Sequence, residues 1–400
     1  MFTKGKFMNF DQFNIDPRCL AVLQRQGIQQ PTPVQKEAIP VALEGRDVLA
    51  IAQTGTGKTL GFSLPSLTRL AAETPQRNSM LVVTPTRELA HQVNDVLNPL
   101  GQALGLKTLC IYGGVDMRKQ TRALKEGAHI IVATPGRLLD HIRSRTIRFD
   151  HLSILVLDEA DQMLDMGFLP DIKRIIPALP EQRQTLMFSA TFPPNIAKLA
   201  TDMQTNPKRI EVGRVATPTE SVRQGVYTVA QQKKLDLLSN ILSQPNVETA
   251  LVFIRTKRRT DKVAKALHKA GFRAEAIHGD RSQSQRKRAL DGFKSGRFNV
   301  LVATDVAARG IDVRGITHVV NFDLPGTSED YVHRIGRTAR ASAEGDAITF
   351  VTPDEHRDLS SIERAIGKKM TRETWDGTVP ERPAVEYRPE IEPERSRSRR

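Results

Sequence analysis

Residues 81–97 have the sequence LVVTPTRELAHQVNDVL, and residues 251–267, 170 positions later, have the related sequence LVFIRTKRRTDKVAKAL. Each stretch joins an apolar run, a polar turn and an amphipathic segment, which is the pattern of a strand followed by a helix. The same shift places HIIVATPGR (129–137) over NVLVATDVA (299–307), and ILVLDEAD (154–161) falls near HVVNFDLP (318–325). The pattern therefore predicts one folding unit used twice.

The wider chain repeats short, almost wholly apolar runs that alternate with helical stretches. Such strands are typical of parallel sheets covered by helices on both faces. We predict an α/β fold with two domains, residues 1–212 and 222–372, joined by the linker GRVATPTES at residues 213–221. Residues 373–400 contain several prolines and end in RSRSRR, which predicts a disordered tail.

The composition of the 400 residues, 39% hydrophobic and 26% charged, is that of an ordinary globular protein. Two cysteines, Cys19 and Cys110, indicate reduced core thiols rather than a disulfide framework. No apolar run is long enough for a membrane span and no signal peptide is evident, so we expect the cytoplasm. The net charge of +14 is concentrated in residues 213–372, with 28 basic and 18 acidic side chains. A basic surface suits nucleic acid, although many basic proteins bind none.

A glycine-rich turn follows the apolar run at residues 48–51. The sequence AQTGTGKT (52–59) matches the phosphate-binding P-loop, except that Ala52 replaces the first glycine. Gly55 and Gly57 would let backbone N–H groups approach phosphates, Lys58 would reach the β- and γ-phosphates, and Thr59 would bind Mg²⁺. A chance match is the alternative, and the preceding strand disfavours it.

An acidic pair follows the strand ILVL at residues 154–157. Asp158 lies where a parallel sheet exposes its carboxyl-end residues to ligands, and it can hold Mg²⁺ through water. Glu159 can orient and deprotonate an attacking water molecule. An acidic cluster alone is usually a solvated loop or a helix cap, but an upstream P-loop favours metal chemistry.

The second copy has VYTVAQQKKL (226–235) at the position of the P-loop, without glycines, so we predict a single ATP site. It offers HRIGRTAR (333–340) instead, with arginines at 334, 337 and 340. A basic helix end on the surface is one interpretation of this run. The other is that two of these arginines stabilise the charge of a phosphoryl transition state.

Together these motifs resemble one family, the DEAD-box ATP-dependent RNA helicases, with two RecA-like domains; the resemblance spans residues 10 to about 350. The run YVHRIGRTAR is most similar to the RhlE-like branch. The set comprises Phe10 with GIQQPTPVQ (27–35), AQTGTGKT, PTRELA (85–90), Gly113-Gly114, TPGR (134–137), DEAD (158–161), SAT (189–191), LVFIRTK (251–257), Gln285 with Arg288, ATDVAARGID (303–312) and HRIGRTAR.

The resemblance implies a role for each matching residue. Gln35 would recognise adenine through its amide, rather than being a glutamine on a helix surface. Asp312 would bind ribose, and Arg337 and Arg340 the γ-phosphate. Two positions depart from the family: Ile28 stands where an aromatic residue is usual, and Ala339 replaces a glycine. The remaining nucleotide-binding candidates are Phe10, Ile28, Ala52, Gln53, Thr54, Gly55, Thr56, Gly57, Lys58 and Thr59.

Further residues would couple ATP to RNA. The coupling candidates are Asp161, Ser189, Thr191 and His333. The candidates for holding RNA phosphates and sugars are Pro85, Thr86, Arg87, Gly114, Thr134, Gly136 and Arg137 in the first domain, and Thr256, Gln285, Arg288 and Thr304 in the second. For each of these a turn or capping role is the alternative.

The resemblance implies ATP hydrolysis coupled to closure of two domains over RNA and to local strand separation, with ATP and Mg²⁺ as cofactors. A DNA translocase is disfavoured by Gln35 and Asp161. An ATP-gated RNA clamp or annealing chaperone remains an alternative. We expect a monomeric core, with ribosome-assembly or RNA-decay proteins as partners.

Overall fold

The computed structural model describes residues 9–53, 55–73, 76–212, 222–308, 315–338 and 345–378. They fall into two compact units, residues 9–212 and residues 222–378. The predicted linker at 213–221 lies outside the described residues. No helix in the described ranges is both long and apolar enough to span a bilayer.

The first unit contains a seven-stranded parallel sheet with the order β3-β4-β2-β5-β6-β1-β7. Every residue of the five inner strands is buried, whereas both edge strands are partly exposed. This is the burial expected when helices cover both faces of a parallel sheet. The strands are β1 (Val48–Ala52), β2 (Met80–Val83), β3 (Thr108–Ile111), β4 (Ile130–Ala133), β5 (Ile154–Leu157), β6 (Gln184–Ser189) and β7 (Lys208–Val212).

Two hydrophobic clusters cover the faces of this sheet. Val48 and Ala50 of β1 belong to one cluster and Leu49 to the other, because successive side chains of a strand point to opposite faces. The helices are α1 (Pro17–Arg25), α2 (Pro33–Leu43), α3 (Lys58–Ala72), α4 (Arg87–Ala103), α5 (Met117–Glu126), α6 (Pro135–Arg143), α7 (Ala160–Asp165), α8 (Leu169–Ile175) and α9 (Pro194–Met203), with short 3-10 helices at Phe10–Gln12 and Ile176–Ala178.

The second unit repeats the topology of the first. Its parallel strands have the order β10-β11-β9-β12-β13-β8-β14, which matches the first sheet strand for strand. The predicted fold class and the internal duplication are therefore confirmed. The strands are β8 (Val222–Thr228), β9 (Ala250–Phe253), β10 (Ala274–Ile277), β11 (Val300–Ala303), β12 (His318–Asn321), β13 (Gly345–Val351) and β14 (Thr371–Glu373).

The helices of the second unit follow the same alternation. They are α10 (Lys234–Leu242), α11 (Lys257–Lys269), α12 (Gln283–Lys294), α13 (Asp305–Ala308), α14 (Ser328–Ile335) and α15 (His356–Ile366), with short 3-10 helices at Gln231–Lys233 and Pro353–Glu355. No glycine lies between the end of β8 and the start of α10. A glycine-rich phosphate loop is thus confined, among the described residues, to the first unit.

The predicted start of the tail at residue 373 is wrong. Glu373 pairs with Tyr227 in the sheet, and Trp375 packs against the hydrophobic cluster of the second unit. Trp375 Nε1 and Asn240 Nδ2 both donate to the carbonyl oxygen of Thr378, at 3.0 and 2.9 Å. The second unit therefore extends to residue 378, because the side chain of Trp375 packs against its hydrophobic cluster. Residues 379–400 lie outside the described residues.

The two cysteines are free thiols. Burial raises the pKa of Cys19 and of Cys110 to about 12. Both thiols therefore stay protonated near neutral pH and are poor nucleophiles, as expected for core residues.

Candidate functional site

The P-loop of the first unit connects β1 to α3. Gly55 and Gly57 have φ angles of +88° and +86°, a left-handed backbone that favours glycine. The hydroxyl of Thr56 donates to the carbonyl oxygen of Gln53 at 2.7 Å, which closes the turn. Ala52 ends β1, and Lys58 and Thr59 begin α3. The loop thus leads into the N-terminus of a helix, where backbone N–H groups attract anions. Thr54 lies outside the described residues.

Lys58 is buried, with 6% of its surface exposed. Its Nζ makes no hydrogen bond to any residue that the structure describes. A buried ammonium group is costly unless it is paired and hydrogen-bonded. The phosphates of a nucleotide would supply the missing acceptors.

Asp158 and Glu159 follow β5 directly, and each is 2% exposed. Burial raises the pKa of Asp158 to about 7. The positive charge of Lys58 opposes this rise, and the negative charge of Glu159 adds to it. The backbone N–H of Glu159 donates to Asp158 Oδ1 at 3.0 Å, and Glu159 has a left-handed backbone with φ +54°. Carboxylate and hydroxyl oxygens suit Mg²⁺, so Asp158 and Thr59 fit that ion.

Asp161 connects the DEAD segment to the end of β6. Its Oδ2 accepts from the backbone N–H groups of Ala190 and Thr191, at 3.0 and 2.8 Å, and from the Thr191 hydroxyl at 3.0 Å. Its own N–H donates to the hydroxyl of Ser189 at 3.3 Å. Three of the four predicted coupling residues therefore lie in one hydrogen-bonded network.

Gln35 lies at the start of α2 and is only 2% exposed, so the interpretation as a surface glutamine is wrong. Its Oε1 accepts from the N–H of Thr32 at 3.0 Å, as part of a capping box, and its Nε2 donates to the carbonyl oxygen of Gly57 at 2.8 Å. The amide thereby joins α2 to the P-loop. One hydrogen and one lone pair of the amide remain for a further partner.

The two hydrophobic candidates for nucleotide binding, Phe10 and Ile28, differ in exposure. Phe10 is 3% exposed and packs edge-on against Phe13, with 6.4 Å between ring centroids. Ile28 is half-buried against the same hydrophobic cluster. The structure thus gives Phe10 a packing role, and its contact with nucleotide stays a prediction.

Three neighbouring strands of the first sheet carry the RNA candidates at their carboxyl ends. Thr86, after β2 and Pro85, caps α4 by accepting from the N–H of Leu89 at 3.2 Å. Thr134, after β4, precedes α6, which contains Gly136 and Arg137. Gly114 follows β3 and has φ +81°. The order β3-β4-β2 brings these separate sequence motifs to one edge.

Arginine side chains hold these loops in place. The guanidinium of Arg87 packs against Gly113 and Gly114, and a Cβ atom at Gly114 would collide with it. Arg137 Nη1 donates to the carbonyl oxygen of Val115 at 2.9 Å and to Gln120 Oε1 at 2.8 Å. Both predicted RNA contacts therefore also have a structural role.

Gln120 is a residue that the sequence analysis missed. It is 7% exposed on α5, its Nε2 donates to the carbonyl oxygen of Tyr112 at 3.0 Å, and its Oε1 also faces His141 Nε2 at 3.2 Å. The one available signal was its position four residues before Leu124, which places both on the buried side of a largely polar helix.

The second unit places its RNA candidates at the equivalent edge. Thr256 follows β9 at the N-cap position of α11, where its side chain makes no capping hydrogen bond, and Thr304 follows β11 and is 8% exposed. Gln285 forms a capping box with Ser282 at the start of α12, so the alternative of a capping role is present there. Arg288 is exposed on the same helix. The order β10-β11-β9 again brings three motifs together.

The arginines of HRIGRTAR have different environments. Arg334 is buried and donates to both carboxylate oxygens of Asp305, at 2.6 and 2.8 Å, to Asn321 Oδ1 at 3.1 Å and to the carbonyl oxygen of Asp323 at 2.7 Å. With its donors occupied, Arg334 is a structural residue. Arg337 is also buried, at 3% exposure. His333 is half-buried on α14, and Asp312, Ala339 and Arg340 lie outside the described residues.

Comparison with known proteins shows which family the chain resembles. Residues 32–199 match the family model of the DEAD/DEAH box helicase, and residues 233–342 match that of the helicase conserved C-terminal domain. The chain is 47% identical over 365 residues to the DEAD-box ATP-dependent RNA helicase CshA of Bacillus subtilis, covering 91% of this chain and 74% of that protein. The Geobacillus kaustophilus CshA is 46% identical, covering 91% and 78%.

Solved structures show the same likeness. S. cerevisiae Dbp5 bound to RNA and ADP BeF3 has a TM-score of 0.83 and 31% identity, covering 91% of this chain and 95% of that chain. Mss116p bound to ssRNA and AMP-PNP has a TM-score of 0.84 and 28% identity, covering 93% and 81%. Both neighbours therefore hold an RNA and a nucleotide or nucleotide analogue.

Proposed function

The chain belongs to the DEAD-box family and is an ATP-dependent RNA helicase, and from that premise we propose how its own residues carry out the reaction. The observation that carries the proposal is the buried Nζ of Lys58, which no described residue hydrogen-bonds. It lies at the start of α3, beside the buried carboxylate of Asp158. A triphosphate would satisfy this group.

In the proposed ATP site, the backbone N–H groups after Gly55 and Gly57 bind phosphate, and Lys58 neutralises its charge. Asp158 and Thr59 would hold Mg²⁺, which when bound neutralises phosphate charge and lowers the pKa of Asp158. Glu159 orients the attacking water and accepts its proton. Gln35 supports adenine recognition because its amide is fixed against the P-loop.

The arginines proposed to stabilise the transition state are Arg337 and Arg340 of the second unit. Arg334 is not among them, since its donors bind Asp305, Asn321 and Asp323. With the P-loop on one unit and these arginines on the other, we propose that hydrolysis requires closure of the two units. Asp312 completes the nucleotide site through the ribose, and Phe10 and Ile28 act as apolar support.

Asp161 is proposed to transmit the nucleotide state. It lies two residues after Glu159, and its carboxylate holds the backbone of Ala190 and Thr191. A shift of the DEAD segment on ATP binding would therefore move the SAT segment, and His333 is proposed to respond in the second unit. The hydrogen bonds of Asp161 make this a direct mechanical link.

RNA is proposed to lie along the carboxyl edges of both sheets. Helices α4, α6, α11 and α12 begin there, and their N-terminal N–H groups attract phosphates. The proposed contacts are to the RNA backbone, so we expect recognition without sequence readout. The proposed set is Pro85, Thr86, Arg87, Gly114, Thr134, Gly136 and Arg137 with Thr256, Gln285, Arg288 and Thr304.

The test is ATP turnover measured with no nucleic acid, with single-stranded RNA, and with DNA of the same sequence. We expect stimulation by RNA well above that by DNA, with loss of nucleotide binding in Lys58→Ala. Equal stimulation by DNA would favour a DNA translocase. Multiple-cycle unwinding without hydrolysis would favour the ATP-gated clamp.

The narrower assignments remain proposals. The RhlE-like placement rests on the run YVHRIGRTAR, and the curated relatives named above, both CshA proteins, do not support it. A cytoplasmic location, a monomeric core and partners in ribosome assembly or RNA decay are proposed on the family resemblance.

A further inference from the structure

Helix α11 of the second unit carries four cations on one face. Arg258, Lys262, Lys265 and Lys269 are exposed, whereas Thr260, Val263, Ala264 and Leu267 are buried against the sheet. The cations are spaced by four, three and four residues, so each lies above the next along the helix. We call this row of four the α11 stripe; it is about 16 Å long.

No residue of the described part of the chain forms an ion pair with any member of the stripe, although acidic groups lie on the same helix and nearby. Lys257 Nζ binds Asp280 at 2.6 Å, outside the stripe. Asp261, the acidic residue of α11, faces His278 Nε2 at 3.0 Å and Arg281 Nη2 at 2.7 Å. The acidic groups around α11 are thus used elsewhere, and the stripe keeps its charge.

The duplicated helix shows that the fold does not require these cations. Helix α4 occupies the equivalent position in the first unit, between equivalent strands. At the corresponding positions, 170 residues earlier, it has Glu88, Gln92, Asp95 and Pro99. An identical topology therefore forms with no positive charge at any of the four positions.

The stripe also opposes helix stability. Like charges three or four residues apart repel each other, and the stripe contains three such neighbouring pairs. The helix dipole disfavours Arg258 in the first turn and favours only Lys269, which lies in the last turn. Since packing gains nothing from these side chains, their charge suits a bound polyanion.

The position of the stripe indicates which polyanion. Helix α11 begins after Thr256, one of the proposed RNA contacts, and runs from the carboxyl edge of the sheet toward the opposite edge. Arg273 lies four residues beyond the end of α11 and is not part of the stripe; its Nη1 donates to the carbonyl oxygen of Gly296. The stripe therefore begins beside Thr256, a proposed RNA contact, and extends away from the carboxyl edge of the sheet.

We propose that the α11 stripe binds phosphates of the RNA that extends beyond the strand held at the sheet edges. The inference rests on the RNA-binding function proposed above and adds a second contact region to it. It predicts that the chain binds a long RNA more tightly than its core contacts alone would allow. Because the contacts are to phosphates, the added affinity depends on salt and not on sequence.

The experiment compares the full chain with the triple variant Lys262→Ala, Lys265→Ala, Lys269→Ala. Affinity is measured with a non-hydrolysable ATP analogue for single strands of about 10 and about 40 nucleotides, over a range of salt. We expect about tenfold weaker binding of the long strand near 0.1 M salt, and a log–log salt slope smaller by about 2. Affinity for the short strand stays within about twofold.

The matched control removes the same charge from the first unit, by Lys173→Ala, Lys198→Ala, Lys208→Ala, three exposed lysines on α8, α9 and β7. It is expected to keep the preference for the long strand. Equal losses in the two variants, an equal loss on both strands, or an unchanged long-strand affinity would each overturn the inference. A wild-type chain that binds neither strand would overturn the RNA-binding function as well, which distinguishes the two failures.

Discussion

Glu159 is a buried carboxylate on a left-handed backbone, next to the buried Asp158. A residue with a side chain is strained in that conformation, and such strain persists where the surrounding structure fixes it. Its placement one residue after the proposed metal ligand makes it the group best placed to accept a proton from water. Substitution of Glu159 therefore tests the proposed mechanism directly.

We expect Glu159→Gln to bind ATP and RNA as the wild type does and to lower kcat by about two to four orders of magnitude. The amide keeps the size of the carboxylate and loses its basicity. Steady-state turnover and equilibrium nucleotide binding check this, with Asp165→Asn, an exposed change on α7, as the control. A kcat near the wild-type value would show that another group takes the proton.

The burial of His141 indicates that the stability of the first unit depends on pH. It is fully buried between Thr146 and Gln120, and burial lowers its pKa, with the charge of Arg137 adding to the effect. Its contribution is present above the unfolded-state pKa of about 6.5 and is lost as pH falls toward the lower folded-state pKa, because the unfolded chain then binds more protons.

Urea unfolding of the wild type and of His141→Gln, at pH values of about 7.5 and 5.5, measures this contribution. We expect the wild type to lose more stability on acidification than the variant. The exposed His151→Gln serves as the control and should lose as much stability between the two pH values as the wild type does. An identical pH response in all three proteins would assign no titration to His141.

At the level of secondary-structure elements, two truncated chains test what residues 373–378 contribute to the second unit. Ending the chain after Thr378 keeps β14 and Trp375, whereas ending it after Arg372 removes Glu373 from the sheet and Trp375 from the hydrophobic cluster. The shorter chain should lose about 1 to 3 kcal/mol of unfolding free energy, since it loses a half-buried aromatic side chain. The longer one should melt like the full chain.

Thermal melting and RNA-stimulated turnover of the two truncated chains check this prediction. A full-length chain with Trp375→Ala separates the side chain from the strand and should account for most of the loss. Equal melting temperatures for both truncations would show that residues 373–378 add nothing to the second unit.

At the scale of the whole molecule, the proposed ATP groups belong to the first unit and Arg337 to the second. The proposed RNA contacts are divided in the same way. Two ligands that favour one closed state tighten each other's binding reciprocally, typically by about 1 to 3 kcal/mol. We expect a non-hydrolysable ATP analogue to raise RNA affinity by a corresponding factor.

Arg337→Ala should leave ATP binding to the free protein largely unchanged, abolish hydrolysis and remove much of this gain in RNA affinity. The exposed Arg364→Ala on α15 is the control. RNA affinity with and without the analogue, in all three proteins, decides the outcome. Wild-type affinities that are equal in the two conditions would contradict coupling through the two units.

The sequence alone determined the architecture and indicated the residues of the proposed ATP site. Strands and helices follow from local periodicity, so the shift of 170 residues was enough to predict two sheets of one topology. The P-loop and the DEAD segment were also predictable, because their function depends on residue types at fixed short spacings. Lys58, Asp158 and Glu159 lie where those spacings placed them.

Only the tertiary structure decided which polar residues are already engaged. Arg334 of the HRIGRTAR motif binds Asp305, 29 positions away, and is structural. Gln120 positions Arg137 from another helix, and Trp375 extends the second unit past its predicted end. These contacts join residues that are distant along the chain, so the local sequence pattern does not predict them. Tertiary packing determines which partner each residue has.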